Sequence, residues 1–130
     1  MADAMWAVQT AIYAALNGVI SCPVYDNVQA SAALPYVVIG EDTQIPDDTK
    51  TNVGFDVTHT LHVWADGAAG RKTAKQILGQ IYDVLHDGNL TSAGFDFVNC
   101  RLEYSDTDRD EDDAITHGVA RYRISVDRVA

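Results

Sequence analysis

Positive charge is scarce in this chain. Nine Lys plus Arg stand against nineteen Asp plus Glu, for a formal net charge of −10. Phosphate backbones are gripped by clustered cations, so sequence-independent binding of DNA or RNA is not expected. An acidic protein can still pass close to DNA without sticking to it. Cysteine is scarcer still. Cys22 and Cys100 are the only two, far apart, with no second pair to complete a zinc site. Each is expected to be a small buried hydrophobe. No apolar run approaches the ~18 residues of a membrane helix, so no membrane partner is expected. Asp3 sits where a signal peptide carries Lys or Arg, which points to a chain made and folded in a cytoplasm. Enzyme signatures are also missing: there is no Gly-x-Ser-x-Gly elbow, Walker loop or His-Glu-x-x-His helix. Gly67-Ala68-Ala69-Gly70 precedes a helical stretch, but the dinucleotide fingerprint is incomplete and the Walker Lys-Ser/Thr is absent. No catalytic residue, metal or cofactor is therefore expected.

What is present is a well-patterned chain. Its 130 residues, 47% hydrophobic, suffice for a single domain, 1–130, that buries roughly two thirds of its unfolded surface. The clearest stretch is 55–64, where Phe55, Val57, Leu61 and Val63 alternate with Asp56, Thr58, Thr60 and His62. That period of two predicts a strand with one oily face. After Ala65 to Gly70 the period changes, and Ala74, Ile77, Leu78, Ile81 and Leu85 fall on one helical stripe. A strand and helix so closely joined should pack face to face.

The other elements follow by the same reasoning. Residues 3–17 read as a helix, with Asp3 as N-cap, Met5, Val8, Ile12 and Leu16 inward, and Asn17-Gly18 as the stop. Trp6 and Tyr13 lie beside that stripe and should finish the core or its rim, or else dock a partner subunit. A small strand is expected at Val24-Tyr25. Pro35 should open a strand, Tyr36 to Ile39, that is apolar on both faces and so covered on both sides. Residues 41–52 are polar and suit a hairpin arm or a loop. Asp87-Gly88 should end the second helix as Asn17-Gly18 ends the first. Strands around 98–104 and 120–126 then form a hairpin about an acidic connection. The expected class is α+β, with a mostly antiparallel sheet of four to five strands and two helices on one face.

Two groups of side chains invite chemistry. Asp106, Asp108 and Asp110 match the first ligand positions of an EF-hand loop, but Glu111 replaces its glycine and His117 its final glutamate. Asp106, Asp108, Asp110, Glu111, Asp112 and Asp113 read instead as a solvated loop, or as a negative surface facing a channel or basic partner. His59 and His62, three apart on a strand, point to opposite faces and cannot share a metal. His86 suits a helix C-terminus as a cation. His117 lies near the acidic run, which would raise its pKa. All four read as structural.

The series Val24-Tyr25-Asp26, Leu34-Pro35-Tyr36-Val37-Val38-Ile39-Gly40, His62-Val63-Trp64, the helix from Gly70 to Leu85, and Ala120 to Val126 resembles the tail-terminator (tail-completion) proteins of long-tailed phages and of phage-derived gene transfer agents. Pro-Tyr-Val-x-Ile-Gly and the Trp–Gly–helix spacing carry the resemblance. It implies a virion protein that assembles with itself into a homo-hexameric ring at the tail–neck junction. That ring would cap the tail tube, end its polymerisation and meet the head-completion (neck) protein, with DNA crossing the lumen without specific binding. Within that reading, Pro35, Tyr36 and Trp64 are candidate subunit or partner contacts, and the acidic residues 106–113 are a candidate lumen or partner surface. The competing reading is a small acidic adaptor that binds a basic partner or calcium through 106–113.

Overall fold

The computed structural model describes residues 3–109 and 114–129. Its elements are α1 (Met5–Leu16), β1 (Val24–Tyr25), β2 (Tyr36–Pro46), β3 (Gly54–Asp66), α2 (Lys72–Leu85), β4 (Phe95–Arg109) and β5 (Ile115–Arg128), with a 3-10 turn at Gly67–Ala69. The five strands form one sheet in the order β1-β2-β3-β5-β4. The β1–β2 pair is parallel; β2–β3, β3–β5 and β4–β5 are antiparallel. Among the described residues no helix is long and apolar enough to cross a membrane.

The alternation read in 55–64 sets the layers. Val57, Leu61 and Val63 are fully buried, and their neighbours on β5, Ala120, Tyr122 and Ile124, are nearly so. Both helices lie against this face and touch each other. From α2 come Ala74, Ile77, Ile81 and Leu85; from α1 come Ala7, Val8, Ala11, Ile12 and Leu16. Each large aliphatic side chain removed from water contributes about 1.5–3 kcal/mol. Gly118 lets α2 ride close to β5, since a Cβ there would meet Leu78 at 3.2 Å and Val63 at 3.3 Å. The class is α+β with two helices on one face of a mostly antiparallel sheet, as the pattern implied.

Several local expectations are corrected. The cap position of α1 is Ala4, not Asp3, although the Asp3 carboxylate accepts from the Met5 amide at 3.2 Å. In the turn after α2, Asp87 rather than Gly88 takes the left-handed conformation, with φ of 56°. Tyr36 to Ile39 is not covered on both sides. Val37 and Ile39 are buried under the helices, whereas Tyr36 and Val38 are half-buried on the other face. The polar stretch after Ile39 is the hairpin arm, the first of its two expected forms, and not a loop. A bulge between Ile39 and Asp42 shifts the register, and β2 stays paired with β3 as far as Pro46. Only 47–53 forms the turn, closed by Asp47 N–H to Gly54 O at 2.8 Å and Gly54 N–H to Asp48 Oδ1 at 3.1 Å. Both cysteines are free and buried.

Candidate assembly surface

Among the described residues the second face of the sheet carries no helix. Ladder register sends every other residue there and aligns side chains in rows across the strands. One row runs Tyr36, Trp64, His117, Asp108. Tyr25 meets Tyr36 edge-on, with centroids 5.8 Å apart. Trp64 stacks on His117 at 4.1 Å and 10° between planes, and His117 in turn stacks on His62 at 5.0 Å. His62 Nδ1 lies 2.7 Å from His117 Nε2, and His62 Nε2 lies 2.5 Å from Glu41 Oε1. The glycine that closes the Pro35–Gly40 motif makes room for this group, because a Cβ at Gly40 would meet the His62 ring at 2.5 Å.

The electrostatics follow from that line of groups. The His62 hydrogen bond holds the Glu41 carboxyl below its ordinary range. For His117 the expected rise does not occur. Burial, and then the neighbouring His62, hold its imidazole below the usual value, outweighing the pull of Asp108, Asp106 and Glu41. Neutral rings can share one proton at each contact. Protonating both rings fully would set two N–H donors against each other across 2.7 Å.

Farther along the face the groups are paired charges. Arg123 Nε donates to both oxygens of Asp56, at 2.9 and 3.0 Å. Arg121 meets Glu103 at 2.7 Å, and Arg101 meets Asp87 at 2.8 Å. The Thr43 and Thr58 hydroxyls also meet. Exposed ion pairs contribute little to stability, so these shape the surface and do not hold the fold.

Asp106 and Asp108 belong to this face too, but in a strand, not the expected loop. They lie opposite Val119 and His117 in the ladder. A strand sets alternate residues roughly 7 Å apart along its axis, which is not the wrap an EF-hand loop needs. Asp110, Glu111, Asp112 and Asp113 lie outside the described residues. Pro35 follows a cis peptide bond from Leu34 and enters β2 half-buried. Tyr36 and Trp64 are likewise half-buried, and β2–β3 pairing places them side by side. Glu41, His62 and His117 were missed as a group, since 55 positions separate the two histidines and only the β3–β5 register joins them.

The remaining candidates sit elsewhere. Trp6 is 68% exposed, so it does not finish the core. With Tyr13, Val24 and Tyr25 it lines a groove of about 620 Å³ between α1 and β1. At the α2 terminus His86 Nδ1 accepts the Leu102 amide at 2.9 Å and ties the helix end to β4. His59 faces the core, fully buried, 3.6 Å from Asp42.

A helix-backed sheet whose open face carries stacked rings and paired charges suits a surface that binds other proteins. Comparison with known proteins gives the class: a structural protein of a virion tail. The chain is 25% identical, with a TM-score of 0.71, to a chain of the virion of a native gene transfer agent particle, covering 97% of this chain and 87% of that one. The tail completion protein gp17 of Bacillus phage SPP1 is 33% identical over 92 residues, which is 71% of this chain and 67% of that protein. The family model described as tail completion protein gp17 matches residues 4–127. The chain belongs to this tail completion family. It is a virion component of a phage or gene transfer agent and assembles with other virion proteins.

Proposed function

We propose that the chain acts as one tail-terminator-like domain, 1–130, that forms a hexameric ring on the end of the tail tube. The ring stops tube polymerisation, presents its other side to the head-completion protein, and lets DNA cross its lumen. The carrying observation is the likeness, over 97% of this chain, to a subunit of an assembled gene transfer agent virion. Charge supports the reading. A −10 subunit repeated around a ring surrounds DNA with negative potential wherever its carboxylates face inward, so DNA slides and does not stick. Glu41, Asp106 and Asp108 are exposed carboxylates able to supply it. Pro35, Tyr36 and Trp64 contribute to a subunit or tube contact. The protein works by shape and charge, without catalysis.

The test is deletion with particle imaging, together with the solution mass of the purified chain across concentration. Tubes that grow past their normal length without the protein, and a monomer–hexamer equilibrium, are the expected results. Tubes of normal length in its absence would refute the terminator role.

A further inference from the structure

The sheet has two edges, and α2 closes only part of one. On β4, Cys100 O accepts the Asp87 amide at 2.7 Å and the Leu102 amide donates to His86 Nδ1, so the end of α2 covers this stretch. Past the bulge between Leu102 and Tyr104 that cover ends, and among the described residues no strand lies beyond β4. Ser105 and Thr107 then border a groove of about 480 Å³ between β4 and α2.

Two features of the groove point to an occupant. Tyr122 lines it at 1% exposure, and its hydroxyl has no hydrogen-bond partner among the described residues. A buried phenol left so costs ~1–3 kcal/mol. Gly79 stands on the groove wall in mid-helix, and a Cβ there would meet nothing within 4 Å. Glycine inside a helix costs about 1 kcal/mol against alanine, so nothing within the subunit accounts for it. Close approach of another backbone does.

We propose that this groove and the adjoining edge of β4, Tyr104 to Asp108, receive an extended strand from a second copy of the chain: the outer edge of β2 from Gly40 to Pro46. A strand is the fitting occupant because a sheet edge offers peptide N–H and C=O groups. The same chain carries the matching edge on the far side of its sheet. There β1 pairs only with Val37 and Val38, and among the described residues no strand lies outside the rest of β2. Two different edges that pair head to tail make a heterologous contact, the kind that closes into rings. Charge fits as well. Asp42 lies opposite the core-facing His59 in the β2–β3 ladder and so belongs to the helix side, where the groove's Lys75 would receive it. This join rests on the ring reading.

The test is Gly79→Leu, which fills the groove where the subunit leaves space and raises helix propensity. Far-UV circular dichroism should match the unaltered chain and the melting temperature should equal or exceed it, while the assembled species is lost at concentrations where the unaltered chain assembles. Amide hydrogen exchange on the unaltered chain provides the second measurement, with Ser105 and Thr107 slowing on assembly. A Gly79→Leu protein that assembles normally, with those amides still exchanging fast, would overturn the join and leave the ring standing. An unaltered chain that stays monomeric at every concentration would remove the ring reading, and the join with it.

Discussion

His59 offers the sharpest test of the packing described above. It occupies a core position on β3, fully buried, and neither ring nitrogen has a hydrogen-bond partner among the described residues. Asp42 lies near but at 3.6 Å, beyond a hydrogen bond of ordinary length. Replacing His59 with Leu keeps a side chain of similar size and removes two buried polar atoms. Taking away an unsatisfied polar group recovers ~1–3 kcal/mol, while Asp42, with its side chain 22% exposed, keeps its water. The pH dependence adds a second signature. Burial holds the His59 pKa below the ordinary imidazole value of about 6.5, so the unfolded chain binds the proton more readily. Stability therefore rises with pH between the folded and unfolded values. It is lost as pH falls below about 6.5, with a slope of at most ~1.4 kcal/mol per pH unit from this group. His117 is depressed in the same direction and adds to the loss. Urea unfolding at about pH 7.5 and about pH 5.5 should show His59→Leu more stable at both, with the larger gain at the lower pH. A variant less stable than the parent at neutral pH would mean that the ring nitrogens are satisfied in the native state, and the reasoning would fall.

Other perturbations have equally definite outcomes. Ile81→Ala, at a fully buried position of α2, should cost about 2–5 kcal/mol in urea unfolding; a loss under ~1 kcal/mol would contradict its place in the core. Asp106→Ser combined with Asp108→Ser should move stability by no more than ~0.5 kcal/mol per site, because both side chains are exposed. A large drop in melting temperature would show that this end of β4 is not solvated. With Trp6 replaced by Phe, the emission of Trp64 should change as His117 takes up a proton, at a pH below the ordinary imidazole range. His117→Phe should abolish that change, and an unaltered titration in the variant would detach Trp64 from His117.

Much of this architecture is legible before any coordinates. The period-two pattern of 55–64 and the 3.6 spacing of Ala74, Ile77, Ile81 and Leu85 name a strand and a helix, and each names its buried face. The carboxylates of Asp106 and Asp108 imply exposure, which holds, and a loop, which does not: both lie in β4. Carboxylates specify contact with water, whereas strand or loop is settled by backbone pairing with β5, which side-chain chemistry does not encode. His86 misled for a related reason. Its place at a helix end suggests a cation, yet its actual partner is a backbone amide sixteen residues away on β4. The candidate surface was legible only in fragments. Tyr36 and Trp64 stood out by residue type; Glu41, His62 and His117 did not, because nothing in one strand announces its neighbour.

The sequence by itself determined the identity of most elements, the side each turns to the core, and the excess negative charge that must be placed in water. Those properties are local sums over side chains, and periodicity reports them directly. Only the tertiary structure decided the order β1-β2-β3-β5-β4, the bulges, and the registers that stack Trp64 on His117 and bring His62 to Glu41. Alternation tells a strand which face is oily but not which strand lies beside it. Loop closure costs only ~0.6 kcal/mol more for each doubling of length, so separation along the chain hardly discriminates among the possible neighbours. The choice falls to the fit of every row at once, and that exists only in the folded sheet.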